Sequence, residues 1–103
     1  MGMLTINKEK NGGKLTVSLV GRVDVMTAPQ FDEEVSGDLD GVTELVLNLA
    51  ELGYMSSAGL RVLVGLQKTM TARKGKLTVC SPSSNILDIL KATGLADYLD
   101  IQE

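Results

Sequence analysis

The chain has 103 residues, 44% hydrophobic and 22% charged, which supplies one packed domain over residues 1–103 and is too short for two. Its net charge of −3, with no basic cluster beyond Arg73, Lys74 and Lys76, argues against a direct nucleic-acid binder, and 3% aromatics offer no stacking platform for single strands. The longest apolar stretch, Leu45 to Met55, is broken by Asn48 and Glu51 and cannot insert through a membrane.

Residues 3–9 and 14–20 read as two strands, the second alternating Leu15, Val17 and Leu19 with Thr16 and Ser18. Asn11-Gly12-Gly13 between them is turn chemistry, so the pair forms a β-hairpin. Gly21-Arg22-Val23-Asp24-Val25 then leads to a first helix. Thr27 with Gln30 fits a capping box, Pro29 suits a first turn, and Phe31, Val35 and Leu39 make one apolar stripe ending at Asp40-Gly41. Asp32, Glu33 and Glu34 read as a solvated, dipole-favoured early helix and not as a metal site.

Residues 43–49 form the most hydrophobic strand, apolar on both faces at Leu45, Val46 and Leu47, as a strand covered on both sides would be. A second, mostly buried helix follows from Ser57 to Lys74, with Arg73-Lys74 as a basic last turn and Gly75 as its stop. Residues 76–80 make another strand. A third helix begins at Ser81-Pro82-Ser83-Ser84, carries Ile86, Leu87, Ile89 and Leu90, and ends in a Schellman pattern at Thr93-Gly94-Leu95. Tyr98 to Ile101 is a short terminal helix or strand. The order predicts an α/β fold: a mixed sheet of four to five strands, an N-terminal hairpin plus parallel strands, with three to four helices.

Histidine is absent, which removes the commonest general base and metal ligand. No glycine-rich phosphate loop is present, and nothing pairs a nucleophile with a base. The single cysteine, Cys80, cannot form an internal disulfide, suits a reducing cytoplasm and reads as a small apolar side chain. Met1-Gly2-Met3-Leu4 lacks the charge and apolar run of a signal peptide, and Ile6 stands where a myristoylation signal needs Ser or Thr. The expectation is a cytoplasmic protein without catalytic residues, cofactor or metal.

The unusual segment is Gly53-Tyr54-Met55-Ser56-Ser57-Ala58-Gly59-Leu60-Arg61, which joins the central strand to the most buried helix. Partners of open α/β sheets gather at the carboxyl ends of such strands. Ser56 or Ser57 is either a plain helix N-cap or a modifiable hydroxyl. A phosphate here would meet free backbone N–H groups and the positive end of the helix dipole, changing the surface without melting the helix.

Gly21-Arg22-Val23-Asp24, Leu47-Asn48-Leu49 and Tyr54-Met55-Ser56-Ser57-Ala58-Gly59-Leu60-Arg61-Val62-Leu63 together resemble the STAS domain, most of all its single-domain anti-sigma factor antagonists. The resemblance covers essentially the whole chain, element order included. It implies partner switching. The unphosphorylated protein binds an anti-sigma factor that is also a GHKL-type serine kinase, sigma factor is released, and a PP2C-like phosphatase reverses the kinase. It further implies that Ser57 is the phosphoacceptor and that Asp24, Met55, Ser56, Ser57, Gly59 and Leu60 serve partner binding. For Asp24 a local turn role, and for Met55 and Leu60 a core role, stay open beside it. Gly59 allows close backbone approach to either sheet or partner. Ser56 stands where several family members carry Asp, which makes it a second candidate acceptor.

A competing reading is a STAS-like adaptor, a fixed and unphosphorylated subunit of a transport or signalling complex, with Ser57 as an N-cap in an interface. A third is an anion or nucleotide binder at the helix N-terminus, disfavoured by the missing phosphate loop.

Overall fold

The computed structural model describes residues 3–103. Strands β1 (Leu4–Asn11) and β2 (Lys14–Val23) form the hairpin, followed by α1 (Ala28–Ser36), β3 (Glu44–Met55), α2 (Ser57–Ala72), β4 (Lys76–Cys80), α3 (Ser84–Ala92), a 3₁₀ turn at Leu95–Asp97 and β5 (Asp100–Gln102). The sheet runs β1-β2-β3-β4-β5. β1 lies antiparallel to β2, and every later pairing is parallel. This is the expected mixed sheet of five strands with three helices, and the terminal segment adds a strand to β4.

The alternation in β2 decides which face is covered. Leu15, Val17 and Leu19 are fully buried, while Thr16 and Ser18 on the opposite face are only half-buried. Leu45, Leu47 and Leu49 of β3 continue the covered face. Helix residues Phe31, Val35, Leu63, Leu66, Met70, Ile86 and Leu90 complete one continuous core over it. Each such side chain contributes about 1.5–3 kcal/mol of transfer free energy. The expectation that β3 is covered on both faces is corrected, because Val46 and Asn48 are only half-buried.

β3 is also longer than the seven-residue strand expected, reaching Met55. Its pairing with β2 shifts register between Ser18 and Val20 and again between Gly21 and Arg22. Each shift places one extra residue in β3. The buried positions therefore step by three, from Leu49 to Leu52 to Met55, where strict alternation would step by two. Gly21 sits within this irregular stretch at φ 110°, and a Cβ there would collide with the Met3 carbonyl oxygen. The Gly21-to-Asp24 segment is thus mostly strand and only ends in a turn.

Helix ends differ from expectation in three places. α1 stops at Ser36, so Leu39 is buried from the following loop and the acidic trio lies mid-helix, with Glu34 4.0 Å from Lys8. The Thr27–Gln30 capping box does not form: the Thr27 side chain makes no cap bond, and the Gln30 amide donates to the Leu4 carbonyl. At the end of α2 it is Lys74, at φ 59°, that takes the left-handed position, and the N–H groups of Lys74 and Gly75 bond Thr71 and Met70 carbonyls in a complete Schellman motif. Gly75 is needed next to it because a Cβ would lie 2.8 Å from Met70 Cε and 2.9 Å from the Thr43 oxygen. At α3, Gly94 adopts φ 81° as expected and its N–H bonds the Lys91 carbonyl.

Candidate functional site at the carboxyl ends of the central strands

Parallel pairing sets Val23 opposite Met55, and the Ser56 N–H donates to the Val23 carbonyl at 2.8 Å. Two segments therefore leave the sheet side by side: residues 24–27, running to α1, and Ser56, the single residue before α2.

Asp24 folds the first segment back on itself. Its Oδ1 accepts the N–H groups of Met26 (3.0 Å) and Thr27 (3.1 Å), an Asx turn. The Thr27 hydroxyl accepts the Asp24 N–H at 2.9 Å, and it can donate either to the Arg22 carbonyl at 3.1 Å or to Asp24 Oδ1 at 3.2 Å. Asp24 Oδ2 lies 3.2 Å from Arg22 Nε, and the Arg22 guanidinium sits 4.8 Å over the Tyr54 ring. Desolvation is the largest single influence on the Asp24 carboxyl and acts upward. The N–H groups of Thr27 and Met26, the Thr27 hydroxyl and the Arg22 charge together outweigh it and hold the carboxyl below its ordinary value. Of the two roles open for Asp24, the turn role is the one these contacts describe. The turn leaves Val25 and Met26 outward, 73% and 81% exposed.

Ser56 stands at the N-cap of α2 with an extended backbone, yet its side chain makes no cap bond. Its Oγ is shielded from solvent and has no hydrogen-bond partner, alone among the buried side-chain oxygens and nitrogens of the described residues. The residue as a whole is half-buried, and only its hydroxyl oxygen is turned away from solvent. Ser57, the first residue of α2, is exposed.

Of the two roles open for Met55, its 2% exposure describes the core one. Gly59 is buried, and a Cβ there would lie 2.7 Å from both Met55 Cγ and Val23 Cγ1. Its close approach is to the sheet. Leu60 is half-buried and lines, with Ser57, Arg61, Val64, Thr93 and Leu95, a shallow groove of about 350 Å³. The structure thus puts Ser57 and Leu60 on one groove, sets Asp24 just past the Val23 that pairs with Met55, and buries Met55 and Gly59. Sequence reasoning missed the Arg22–Tyr54 stack and the exposed Val25-Met26 pair. The second was open to detection, as two apolar residues adjacent in a turn have no strand or helix period to bury them.

Fold and site together define a small α/β domain with an exposed apolar turn after β2 and an exposed serine after β3. Residues 5–103 match the family model of the STAS domain, and the chain belongs to that family. The anti-sigma-B factor antagonist of Listeria monocytogenes serovar 1/2a is 32% identical over 97 residues, covering 92% of this chain and 84% of that protein. The anti-sigma factor antagonist SpoIIAA in its unphosphorylated form has a similar structure, with TM-score 0.83 at 20% identity over 96% of this chain and 89% of that one. The Bacillus cell fate determinant SpoIIAA in its phosphorylated form has TM-score 0.76, also at 20% identity, over 96% and 92% of the two chains. At that identity the structures speak for the fold. Among the described residues, no helix is long and apolar enough to cross a membrane.

Proposed function

We propose that this chain is an anti-sigma factor antagonist, a cytoplasmic binding protein switched off by phosphorylation of Ser57. Its partner is an anti-sigma factor that is also a GHKL-type serine kinase; binding frees the sigma factor, and a PP2C-type phosphatase restores the antagonist. The observation that carries the reading is the contrast between adjacent serines. Ser57 offers an exposed hydroxyl on the first turn of α2, while the Ser56 oxygen is sealed and idle.

The docking surface in this reading is Val25 and Met26, presented by the Asp24 turn, together with Ser57 and Leu60. An exposed apolar pair and a half-buried leucine, with a small hydroxyl on the same helix turn as the leucine, suit a contact that excludes water. A phosphate on Ser57 adds nearly two negative charges at the positive end of the α2 dipole, so the helix tolerates it. The partner would have to desolvate a charge near −2 that no single cation neutralises, which costs several kcal/mol when the partner's own surface offers no cation. About 3 kcal/mol weakens binding more than a hundredfold. The fold persists and the affinity changes, which is the behaviour of a charge-operated switch.

The test is incubation with ATP and the GHKL-type anti-sigma kinase encoded in the same genome, with the phosphate mapped by mass spectrometry. One phosphate on Ser57, absent from Ser57→Ala, is the expected result. No phosphate from a kinase active on another substrate would turn the account toward a fixed adaptor subunit.

A further inference from the structure

α2 carries two cations, Arg61 and Lys68, and no Asp or Glu. Every helical neighbour three or four residues from Arg61 is uncharged: Ser57, Ala58, Val64 and Gly65. Arg61 is exposed, and among the described residues it takes part in none of the ion pairs, which join Lys8 to Glu34 and Asp38, Arg22 to Asp24, and Lys76 to Asp100. Its guanidinium makes no side-chain hydrogen bond there either. Ser57 and Arg61 line the same groove beside Thr93 and Leu95.

We propose that Arg61 is the intramolecular receptor for a phosphate on Ser57. The proposal rests on the phosphorylation reading above and names how the modified site is held. The geometry of the helix favours it in three ways. Residues four apart lie one above the other on a single face. Helical side chains lean toward the N-terminus, so Arg61 extends back over the turn that begins with Ser57. An anion placed N-terminal to its cation is also the stronger order for such a pair. A planar guanidinium can bond two phosphate oxygens at once, which a lone ammonium cannot match in geometry.

The pair changes the switch. Without phosphate, Arg61 is a free cation at the edge of the docking surface, available to an acidic group of the partner. With phosphate, that cation is occupied from within, so the partner meets a new anion and loses access to a cation in the same event. Arg22, the other guanidinium at this end of the sheet, is already committed to Asp24 and Tyr54. Arg61 here is a positioning residue.

The experiment uses the full chain with phosphoserine installed at position 57 during translation, so no kinase is involved. It is compared with the unmodified chain, each with Arg61 or with Arg61→Gln. Two readings are taken: the Arg61 Nε–H resonance and the change in Tm on phosphorylation. The resonance should move with phosphorylation, and the change in Tm should be more favourable with Arg61 than in the variant by about 2–4 °C. Arg61→Lys should keep only part of that difference. An unmoved Nε–H resonance, with the same change in Tm in both backgrounds, overturns the pair and leaves Ser57 as acceptor untouched. Conversely, a kinase that ignores Ser57 would remove the switch while this measurement still reports the pair.

Discussion

Ser56→Ala separates two opposed expectations at the mouth of α2. A serine at an N-cap normally accepts a backbone N–H bond, and its replacement by alanine costs about 1 kcal/mol. Here the cap bond is not made, and the Oγ is buried without any partner. Leaving a buried hydroxyl unsatisfied costs about 1–3 kcal/mol. Alanine keeps the Cβ, removes the orphan oxygen and forfeits no bond, so the expected net effect is a gain of about 1 kcal/mol. For a domain near 100 residues that is a rise in Tm of about 4–8 °C. Urea denaturation should show a higher midpoint with the slope unchanged, since the exposed area on unfolding hardly differs. Ser57→Ala, at an exposed position without side-chain hydrogen bonds, should stay within about 0.5 kcal/mol of the parent and serves as the control. A fall of several degrees for Ser56→Ala would refute the reasoning, because it would mean that the hydroxyl caps α2 in solution.

Other substitutions probe the support beneath the site. Gly59→Ala forces a Cβ to within 2.7 Å of Met55 and Val23 side chains and should cost about 1–3 kcal/mol in a denaturant melt, whatever the partner. Lys74→Gly relieves a left-handed non-glycine residue at φ 59° and should gain about 1 kcal/mol by the same assay. Asp24→Asn tests the turn. A carboxyl held below its ordinary value of 3.8 stabilises the fold fully above that pH and loses the contribution as pH falls through its lowered folded value. The variant should be less stable than the parent at neutral pH, with the difference closing below pH 3.8 in paired pH-dependent melts. A difference that stays constant into acid would deny the charge a role.

Much of the fold was legible because its periods are clean. Leu15, Val17 and Leu19 mark β2 by their alternation, while β3 was found by its apolar run at Leu45, Val46 and Leu47, which hid that only the Leu45, Leu47 and Leu49 face is covered. Legibility failed where the period broke. The two register shifts convert a two-residue step into three-residue steps at Leu52 and Met55, which no alternating template recovers. The Thr27–Gln30 spacing looked like a capping box, but Asp24 and the Arg22 carbonyl engage the Thr27 hydroxyl from upstream. Lys74 took the left-handed position because Gly75 was needed to clear Met70 and Thr43. At the site, the serine-bearing segment stood out in the chain, yet only packing could sort its members. Met55 and Gly59 face inward, Ser57 faces out, and the Ser56 oxygen is sealed between them. Arg61 was visible as part of the segment, but its lack of an anionic partner emerges only once the ion pairs are known.

The central claim is that one phosphate on Ser57 releases the partner while the fold stays intact. Isothermal titration of the GHKL-type anti-sigma kinase with the unmodified chain, and with the same chain carrying phosphoserine at position 57, measures it directly. The account predicts a loss of affinity of about a hundredfold or more, with unchanged far-ultraviolet circular dichroism. Equal affinities for the two forms would contradict it.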